Sequence, residues 1–365
     1  MGFSEFYGNR ATLERIRHLL GQNRLPQGVV LSGPEGSGKY TLATMIAQTL
    51  NCSNRAASDG LPDFCGHCRN CLRIADAHDL DARVAEALAA REALKETEKK
   101  ETRLFVQTHP DVLVIPPDPP QMMIKVDQVR RVIESIYFHP AEGRERVFIF
   151  TDGAFIKEAA NSLLKVLEEP PDFATIVLLA RNAGELLPTI RSRAMVFSLS
   201  ALPAEEMERY LVGHCAQLKD SERALVARLS QGAVGRARKF DLAAYCAARQ
   251  DALTILTTAL ADQSHEQLFK TTEGYRSGAE GRENMELLLR CLYSLLEDLL
   301  FLDAGARHLV RNTDLGRELE KLAGTANFDW LSGAALRIGE VERGMRRNLL
   351  RSLSLDGFEA ALESS

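Results

Sequence analysis

The chain of 365 residues is long enough for two or three domains, and a content of 45% hydrophobic and 26% charged residues is ordinary for a soluble globular protein. The net charge of -5 excludes a surface that is basic throughout, so any contact with nucleic acid would be local. The best candidate for a membrane span, residues 287–302, contains Arg290, Glu297 and Asp298, which excludes it.

Strands and helices are predicted to alternate through the first 200 residues. Short apolar runs typical of buried strands occur at residues 29–31, 112–115, 147–150, 175–179 and 196–199. Helical patterns precede and separate them, at residues 10–24, 41–50, 126–136 and 159–167. This alternation indicates the α/β fold class, with a parallel sheet covered by helices.

The strand pattern stops after Leu202 and Pro203. Residues 204–240 are predicted to form a small helical unit, and the remainder is helical throughout. Leucines recur there at helical spacing, at Leu288, Leu292, Leu295, Leu299 and Leu302. We therefore predict an α/β domain at residues 1–200, a small helical domain at residues 201–241 and an all-α domain at residues 242–365.

One stretch, residues 79–107, is rich in Ala, Glu, Lys and Arg and contains neither Gly nor Pro. This composition favours helix, and runs of charge usually belong to solvated surfaces. We predict an insertion that forms an exposed helix or helical hairpin, which could be deleted without loss of the fold.

A glycine-rich loop of the form G-x4-G-K, residues 33–39, directly follows the first predicted strand and opens a helix. Glycines in such a loop let backbone N–H groups converge on phosphate oxygens, and the helix N-terminus adds a partial positive charge. The lysine would neutralise the β and γ phosphates. The predicted nucleotide-binding residues are Gly33, Gly36, Ser37, Gly38 and Lys39. The alternative is a glycine-rich turn that binds no nucleotide.

The residue after the lysine is Tyr40, where such loops carry Ser or Thr to ligate Mg²⁺. A phenol cannot replace that hydroxyl, since its oxygen lies several bonds too far out. Thr41 comes one residue late, roughly 100° around the helix. We include Thr41 in the candidate nucleotide site but expect magnesium to be held poorly.

Hydrolysis also needs an acidic pair at the end of another strand, Asp for the metal and Glu to polarise water. The strand at residues 147–150 is followed by Thr151 and Asp152, so only one acid stands there. Asp152 is either a remaining metal or water ligand, or the N-cap of the next helix. Together with Tyr40, this defect predicts weak binding of ATP or ADP and little or no hydrolysis.

Four of the seven cysteines are clustered, with Cys52 followed by Cys65, Cys68 and Cys71 in two C-x2-C steps. Four soft ligands at this spacing predict a closed, tetrahedral and therefore structural Zn²⁺ site. His67 is a competing ligand, and four unligated cysteines are the alternative. Clustered thiols fit a reducing compartment, and the first five residues lack the features of a signal peptide, so we predict a cytoplasmic protein with no membrane partner.

Two arginines are candidates for contact with phosphate. Arg193 lies just before the last predicted strand, in the run of residues 187–193, where an arginine can reach the γ-phosphate of a neighbouring subunit as a finger. Arg236 follows Gly232 and Gly235 and is a candidate phosphate sensor. The alternative for Arg236 is an ordinary residue at the start of a helix.

Over residues 1–240 these motifs resemble those of the clamp-loader subunits of bacterial DNA polymerase III, an AAA+ family, and most closely those of its delta-prime subunits. Further runs that carry the resemblance are residues 23–26, 50–52, 108–111, 124–130 and 159–171. Two departures stand out. Ala194 follows Ser192-Arg193 where the family usually has Cys, and nothing in the family pattern explains the insertion. The C-terminal third matches only in length and helicity.

The resemblance implies a RecA-like AAA+ domain with a zinc knuckle, a small helical lid and a helical collar that assembles a ring. It implies a hetero-pentamer with gamma/tau and delta subunits, which opens the sliding clamp and loads it onto primed DNA during replication, within a nucleotidyltransferase holoenzyme. Delta-prime subunits typically lack the hydrolytic residues but keep the Ser-Arg finger, a pattern that Tyr40, Thr151, Asp152 and Arg193 match. The alternatives are an ATP-hydrolysing gamma/tau-type subunit and a nucleotide-binding zinc protein unconnected to replication.

Overall fold

The computed structural model describes residues 2–261 and 278–346. By its internal contacts the chain divides into two compact units. The first comprises the chain up to Tyr210 together with Gly232–Arg236, and the second comprises the rest of the described residues. The division into three domains at residues 200 and 241 stays a prediction.

The first unit contains strands and helices that alternate, which confirms the predicted α/β class. The strands are β1 (Gly28–Ser32), β2 (Ala56–Ser58), β3 (Leu61–Asp63), β4 (Val106–His109), β5 (Val112–Ile115), β6 (Arg146–Phe150), β7 (Ala174–Ala180) and β8 (Met195–Ser198). The helices are α1 (Arg10–Gly21), α2 (Lys39–Asn51), α3 (Arg69–Ala75), α4 (Leu80–Glu92), α5 (Glu96–Glu101), α6 (Val126–Ile136), α7 (Lys157–Glu168) and α8 (Pro188–Arg191).

Six strands form one sheet in the order β4-β5-β6-β7-β1-β8. All neighbours are parallel except β4, which pairs antiparallel with β5 at the edge. Because successive strand residues point to opposite faces, each buried strand contributes to two cores. In β1, Val29 and Leu31 pack in a core with α1, α2 and α3, while Val30 packs in a core with α6 and α7. The phosphate loop, residues 33–39, follows β1, which lies between β7 and the edge strand β8.

The predicted insertion is not exposed along its whole length. Helices α4 and α5 occupy its first part, and none of the α4 side chains, all of which the structure describes, is buried. Leu104 and Val106, however, are 2% and 5% exposed, and Val106 pairs with Val114 in the sheet. The prediction of a dispensable surface stretch is therefore wrong for residues 104–107, because the apolar residues after the charged run add an edge strand.

A buried carboxylate, Asp118, holds the end of α4 against the sheet unit. Asp118 is 1% exposed and accepts hydrogen bonds from Arg91 Nη1 at 2.9 Å and from the Leu104 N–H at 3.1 Å. Arg103 Nη1 lies 3.8 Å from the other carboxylate oxygen. A carboxylate at such depth needs these partners, because desolvation of an unpaired charge is costly.

We expect Arg91→Ala to lower the free energy of unfolding by about 1–3 kcal/mol, because Asp118 would lose its closest cation while staying buried. Arg10→Ala is the matched control: it removes an exposed ion pair with Glu14, whose loss should cost less than about 0.5 kcal/mol. Urea unfolding of both variants measures the difference. Equal unfolding midpoints for the two variants would contradict the role given to Arg91.

Seven helices follow β8 in the described part of the chain, as the helical pattern predicts. They are α9 (Ala204–His214), α10 (Asp220–Leu229), α11 (Val234–Arg238), α12 (Leu242–Ala261), α13 (Gly278–Asp303), α14 (Gly316–Ala323) and α15 (Phe328–Arg346). In the second unit, α13 is central. Its predicted leucines at 288, 292, 295 and 299 are fully buried among residues of α12, α14 and α15. Among helices in residues 2–261 and 278–346, none has the length and apolar character of a membrane span.

Candidate nucleotide and metal sites

The phosphate loop has backbone angles that favour glycine. Gly33, Gly36 and Gly38 have φ of +154°, +77° and +90°, in the left-handed region that other residues rarely adopt. Space is restricted as well: a Cβ at Gly33 would lie 2.3 Å from the carbonyl oxygen of Leu199, and one at Gly38 would lie 2.8 Å from the ring of Phe6. Glycine is therefore required at these positions for the loop to keep its shape.

Lys39, the first residue of α2, is held by its own loop. Its Nζ donates to the carbonyl oxygens of Gly33, at 2.6 Å, and Pro34, at 2.7 Å. Burial lowers the pKa of Lys39, and the carboxylates of Glu35 and Asp152 oppose that shift. Since two of the three ammonium N–H bonds are used, a phosphate would compete with the loop carbonyls for this side chain.

Of two further predicted residues, Ser37 belongs to the loop and Arg236 lies beside it. Ser37 Oγ is buried and has no hydrogen-bond partner among the residues that the structure describes. Buried hydroxyls are nearly always hydrogen-bonded, so this oxygen is suited to a ligand. The N–H of Gly235 donates to the Gly36 carbonyl at 2.9 Å, and a Cβ at Gly36 would lie 3.1 Å from the backbone N of Arg236. Contact of Ser37 and Arg236 with a nucleotide stays a prediction.

Tyr40 directs its hydroxyl away from any magnesium site at the loop. The hydroxyl donates to the carbonyl oxygen of Ala77, just after α3, at 2.6 Å. Burial raises the pKa of Tyr40, so the phenol is neutral. The next residue, Thr41, is half-buried, and its carbonyl accepts a hydrogen bond from the Thr44 hydroxyl. The Tyr40 oxygen is thus committed to another part of the fold.

Asp152 lies two residues beyond β6. Its Oδ1 accepts a hydrogen bond from the N–H of Ala154 at 2.8 Å. The alternative that Asp152 caps the next helix is wrong, because α7 begins at Lys157 and its N-cap is Ile156. The carboxylate is close enough to Lys39 to oppose the lowering of the lysine pKa. Asp152 is thus near the loop lysine, but the residue before it is Thr151 and not a second acid.

The four predicted metal ligands come together at one place. The Sγ atoms of Cys52, Cys65, Cys68 and Cys71 all lie within 4.8 Å of one another. Cys52 Sγ is 3.5 Å from Cys65 Sγ and 4.0 Å from Cys68 Sγ. Tetrahedral Zn²⁺ with Zn–S bonds of about 2.3 Å would separate its sulfur ligands by about 3.8 Å. The four-cysteine cluster therefore fits zinc and could bind it.

Backbone N–H groups point at these sulfur atoms. The N–H groups of Cys65, Cys68 and Cys71 donate to the Sγ atoms of Cys52, Cys65 and Cys68 at 3.3, 3.3 and 3.5 Å. Burial raises the pKa of Cys52 and of Cys71. Burial acts in the same direction at Cys68, but N–H donors from Cys71 and Ser53 outweigh it and lower the pKa to about 6. A divalent cation would supply the further stabilisation that four thiolates need.

His67, the competing ligand, is exposed, and its Nδ1 is 2.8 Å from the carbonyl oxygen of Cys65. It does not belong to the metal-binding group found in the described residues. Sequence patterns missed Arg144, which donates to the carbonyls of Cys52, at 2.7 Å, and Leu50, at 3.0 Å. Nothing in the local sequence around Arg144 signals this contact, since it lies 92 residues from Cys52.

Arg193 lies at the end of the sheet opposite the phosphate loop. A Cβ at Gly28, the first residue of β1, would lie 2.9 Å from the carbonyl oxygen of Arg193. The loop follows Ser32, the last residue of the same strand, and β8 runs parallel to β1. At 3.3 Å per residue, these two ends of β1 are about 13 Å apart. The arginine is therefore too distant to serve the loop of its own chain.

The Arg193 side chain is held by groups that the sequence analysis did not single out. Its Nη2 pairs with Glu168 Oε1 at 2.7 Å, and its Nη1 donates to the Thr189 carbonyl at 3.0 Å. The side chain is still 35% exposed. Glu168 falls within the family-like run of residues 159–171, which is the one sequence signal that could have pointed to it.

The chain is similar in sequence to subunits of DNA polymerase III. A model of the family described as DNA polymerase III, delta subunit, matches residues 8–203, more than half of the chain. DNA polymerase III subunit gamma of Buchnera aphidicola subsp. Acyrthosiphon pisum is 28% identical over 210 residues, 57% of this chain and 48% of the relative. DNA polymerase III subunit tau of Escherichia coli is 26% identical over 210 residues, 57% of this chain and 27% of the relative. The chain thus spans half or less of these curated relatives.

Among solved structures, a DNA polymerase III gamma subunit-related protein from Thermotoga maritima is similar with a TM-score of 0.41 and 18% identity. The alignment covers 96% of this chain and 98% of that one. A likeness at this level carries no inference about the sites.

Proposed function

Since the chain belongs to the family described as DNA polymerase III, delta subunit, among the clamp-loader AAA+ proteins, we propose that it is a clamp-loader subunit of the delta-prime type. Such a subunit binds nucleotide weakly, hydrolyses it poorly or not at all, and supplies an arginine finger to a neighbour. The proposed partners are gamma/tau and delta subunits in a hetero-pentamer, the sliding clamp and primed DNA. The proposed task of the assembly is to open the clamp and load it onto primed DNA.

The observation that carries the proposal is the position of Tyr40. Its hydroxyl donates to the Ala77 carbonyl, so the residue that would normally ligate Mg²⁺ serves the packing of α3 instead. Asp152 has Thr151 beside it in place of a second acid, and Lys39 is bound by its own loop. Phosphate binding needs the loop and Lys39 alone, whereas hydrolysis also needs a placed metal and an activated water. The site therefore favours binding over hydrolysis.

In this proposal the residues have separate tasks. Gly33, Gly36, Ser37, Gly38, Lys39 and Arg236 would hold a nucleotide phosphate, with Thr41 and Asp152 as weak substitutes for the missing magnesium ligands. Cys52, Cys65, Cys68 and Cys71 would hold structural zinc. Arg193 would stabilise charge on the phosphoryl group transferred in a neighbouring subunit, since it faces away from its own loop.

The second candidate is an ATP-hydrolysing subunit of the gamma/tau type. It is favoured by the names of the curated relatives, which are gamma and tau subunits of DNA polymerase III. Under this alternative Thr41 and Asp152 would have to hold magnesium well enough for turnover. The two candidates differ in one measurable quantity, the ATPase rate of the isolated chain.

We expect the purified chain to hydrolyse ATP no faster than its Lys39→Ala variant, because neither magnesium nor the attacking water is held in place. Phosphate release with magnesium present measures both rates. Tyr40→Thr alone should not restore turnover, since the acidic pair at Thr151 and Asp152 would still be incomplete. Robust hydrolysis by the natural chain that disappears in Lys39→Ala would favour the gamma/tau-type candidate instead.

A further inference from the structure

Helix α2, which begins at the phosphate loop, is hydrogen-bonded near both of its ends to the segment that contains the cysteines. This segment, residues 52–77, is called the zinc module below. At the end of α2, Asn70 Nδ2 donates to the Asn51 carbonyl at 2.8 Å. In the last turn as well, Gln48 Nε2 donates to the Cys71 carbonyl at 3.0 Å. At the start, the Tyr40 hydroxyl donates to the Ala77 carbonyl at 2.6 Å.

The two contacts in the last turn of α2 are shielded from water, and the Tyr40 bond is partly shielded. Asn51, Gln48 and Asn70 are 1%, 2% and 6% exposed. A buried donor or acceptor that loses its partner pays the full cost of desolvation, so such bonds are kept when the elements around them shift. The zinc module and α2 should therefore move together.

Metal ligands sit at two places along this contact. Cys52 directly follows the last residue of α2, and Cys71 lies within α3 and supplies the carbonyl that Gln48 contacts. Metal bound to both sulfurs would fix α3 beside α2. The Tyr40 bond then carries this constraint to the residue next to Lys39, at the edge of the phosphate loop.

We propose that Tyr40 is a positioning residue that ties the phosphate loop to the four-cysteine metal centre, so that a filled centre orders the loop. The inference deepens the proposed function, on which it rests for the role of the loop in phosphate binding. It also gives the tyrosine at the magnesium position a use of its own, because its hydroxyl contacts the zinc module at Ala77.

The test uses the full chain loaded with zinc and the variant Tyr40→Phe, which keeps the ring and removes the hydroxyl. Tyr137→Phe is the matched control, because Tyr137 is 56% exposed. The rate of zinc release to a chromophoric chelator should rise roughly two- to tenfold in Tyr40→Phe relative to the control, the range expected for loss of one hydrogen bond. Gln48→Met, which breaks the contact with the Cys71 carbonyl, should also speed the release.

Hydrogen exchange of the loop is a second measurement. A general loss of stability would speed exchange throughout the sheet unit and not in the loop alone. Peptides covering residues 33–41 should exchange faster in Tyr40→Phe than in Tyr137→Phe, while peptides from β5 and β6 exchange alike. Zinc-release rates and loop exchange that match the control in both Tyr40→Phe and Gln48→Met would overturn the inference. Neither measurement uses nucleotide, so failure here is distinguishable from failure of the proposed function, which the ATPase assay tests.

Discussion

Under the proposed function, replacement of Arg193 by Ala is expected to reduce ATP hydrolysis at the site of the neighbouring subunit by roughly 10³- to 10⁵-fold, the effect of an arginine finger. The reason is positional. Arg193 lies beside Gly28, at the start of β1, whereas the loop of its own chain follows the end of that strand. Its guanidinium is partly exposed, as the proposed contact with a neighbouring chain requires.

The measurement is ATP turnover by the assembled complex with clamp and primed DNA. Arg191→Ala is the matched control, since Arg191 is an exposed arginine two residues away in α8. Arg193→Lys should restore little activity, because an ammonium cannot reproduce the planar, bidentate contact of a guanidinium. Zinc content, folding and ring assembly should be unchanged. Full turnover by a complex carrying Arg193→Ala would reduce this residue to a surface arginine held by Glu168.

Loss of metal from the four-cysteine cluster is the second large effect that we expect. The purified chain should contain one Zn²⁺, and Cys68→Ala should release it and lower the free energy of unfolding by several kcal/mol. Structural zinc contributes about 10–16 kcal/mol of apparent binding energy in isolated zinc fingers. The effect should be smaller here because the other face of the sheet has a core of its own with α6 and α7.

Metal analysis and thermal unfolding together measure this effect. Cys246→Ser is the control, since Cys246 is partly buried in α12, outside the cluster. It should keep both its zinc and its melting temperature. Clearly less than one zinc per chain, in protein purified without chelator, would contradict the prediction.

Much of the sheet unit follows from local patterns. Residues 112–115 and 126–136 were predicted as a strand and a helix and are β5 and α6 with the same bounds. Strand β4 was missed, because Val106 and His109 are its only buried residues and its partner across the edge is not a local property of the sequence. A charged, alanine-rich stretch before it also favoured helix over strand.

In the candidate sites, too, some features could be predicted from the sequence and others could not. Spacing alone identified the four cysteines, since the chemistry of zinc fixes both ligand type and number. It could not identify what the Tyr40 hydroxyl contacts, because Ala77 is 37 residues away and is recognised only through its backbone carbonyl. Backbone acceptors carry no sequence signature, so contacts of this kind emerge only from the fold.

The hydrogen bonds between the phosphate loop and Lys39 affect how much ATP can stabilise the chain. The Lys39 ammonium group donates hydrogen bonds to the Gly33 and Pro34 carbonyls. The loop therefore provides hydrogen-bond partners for this lysine without a ligand. A ligand stabilises a protein only in proportion to the logarithm of its concentration over its Kd, so weak binding adds almost nothing. We therefore expect the melting temperature of this chain to be nearly the same with and without millimolar ATP. Such a subunit would present a constant surface to its neighbours while their nucleotides turn over.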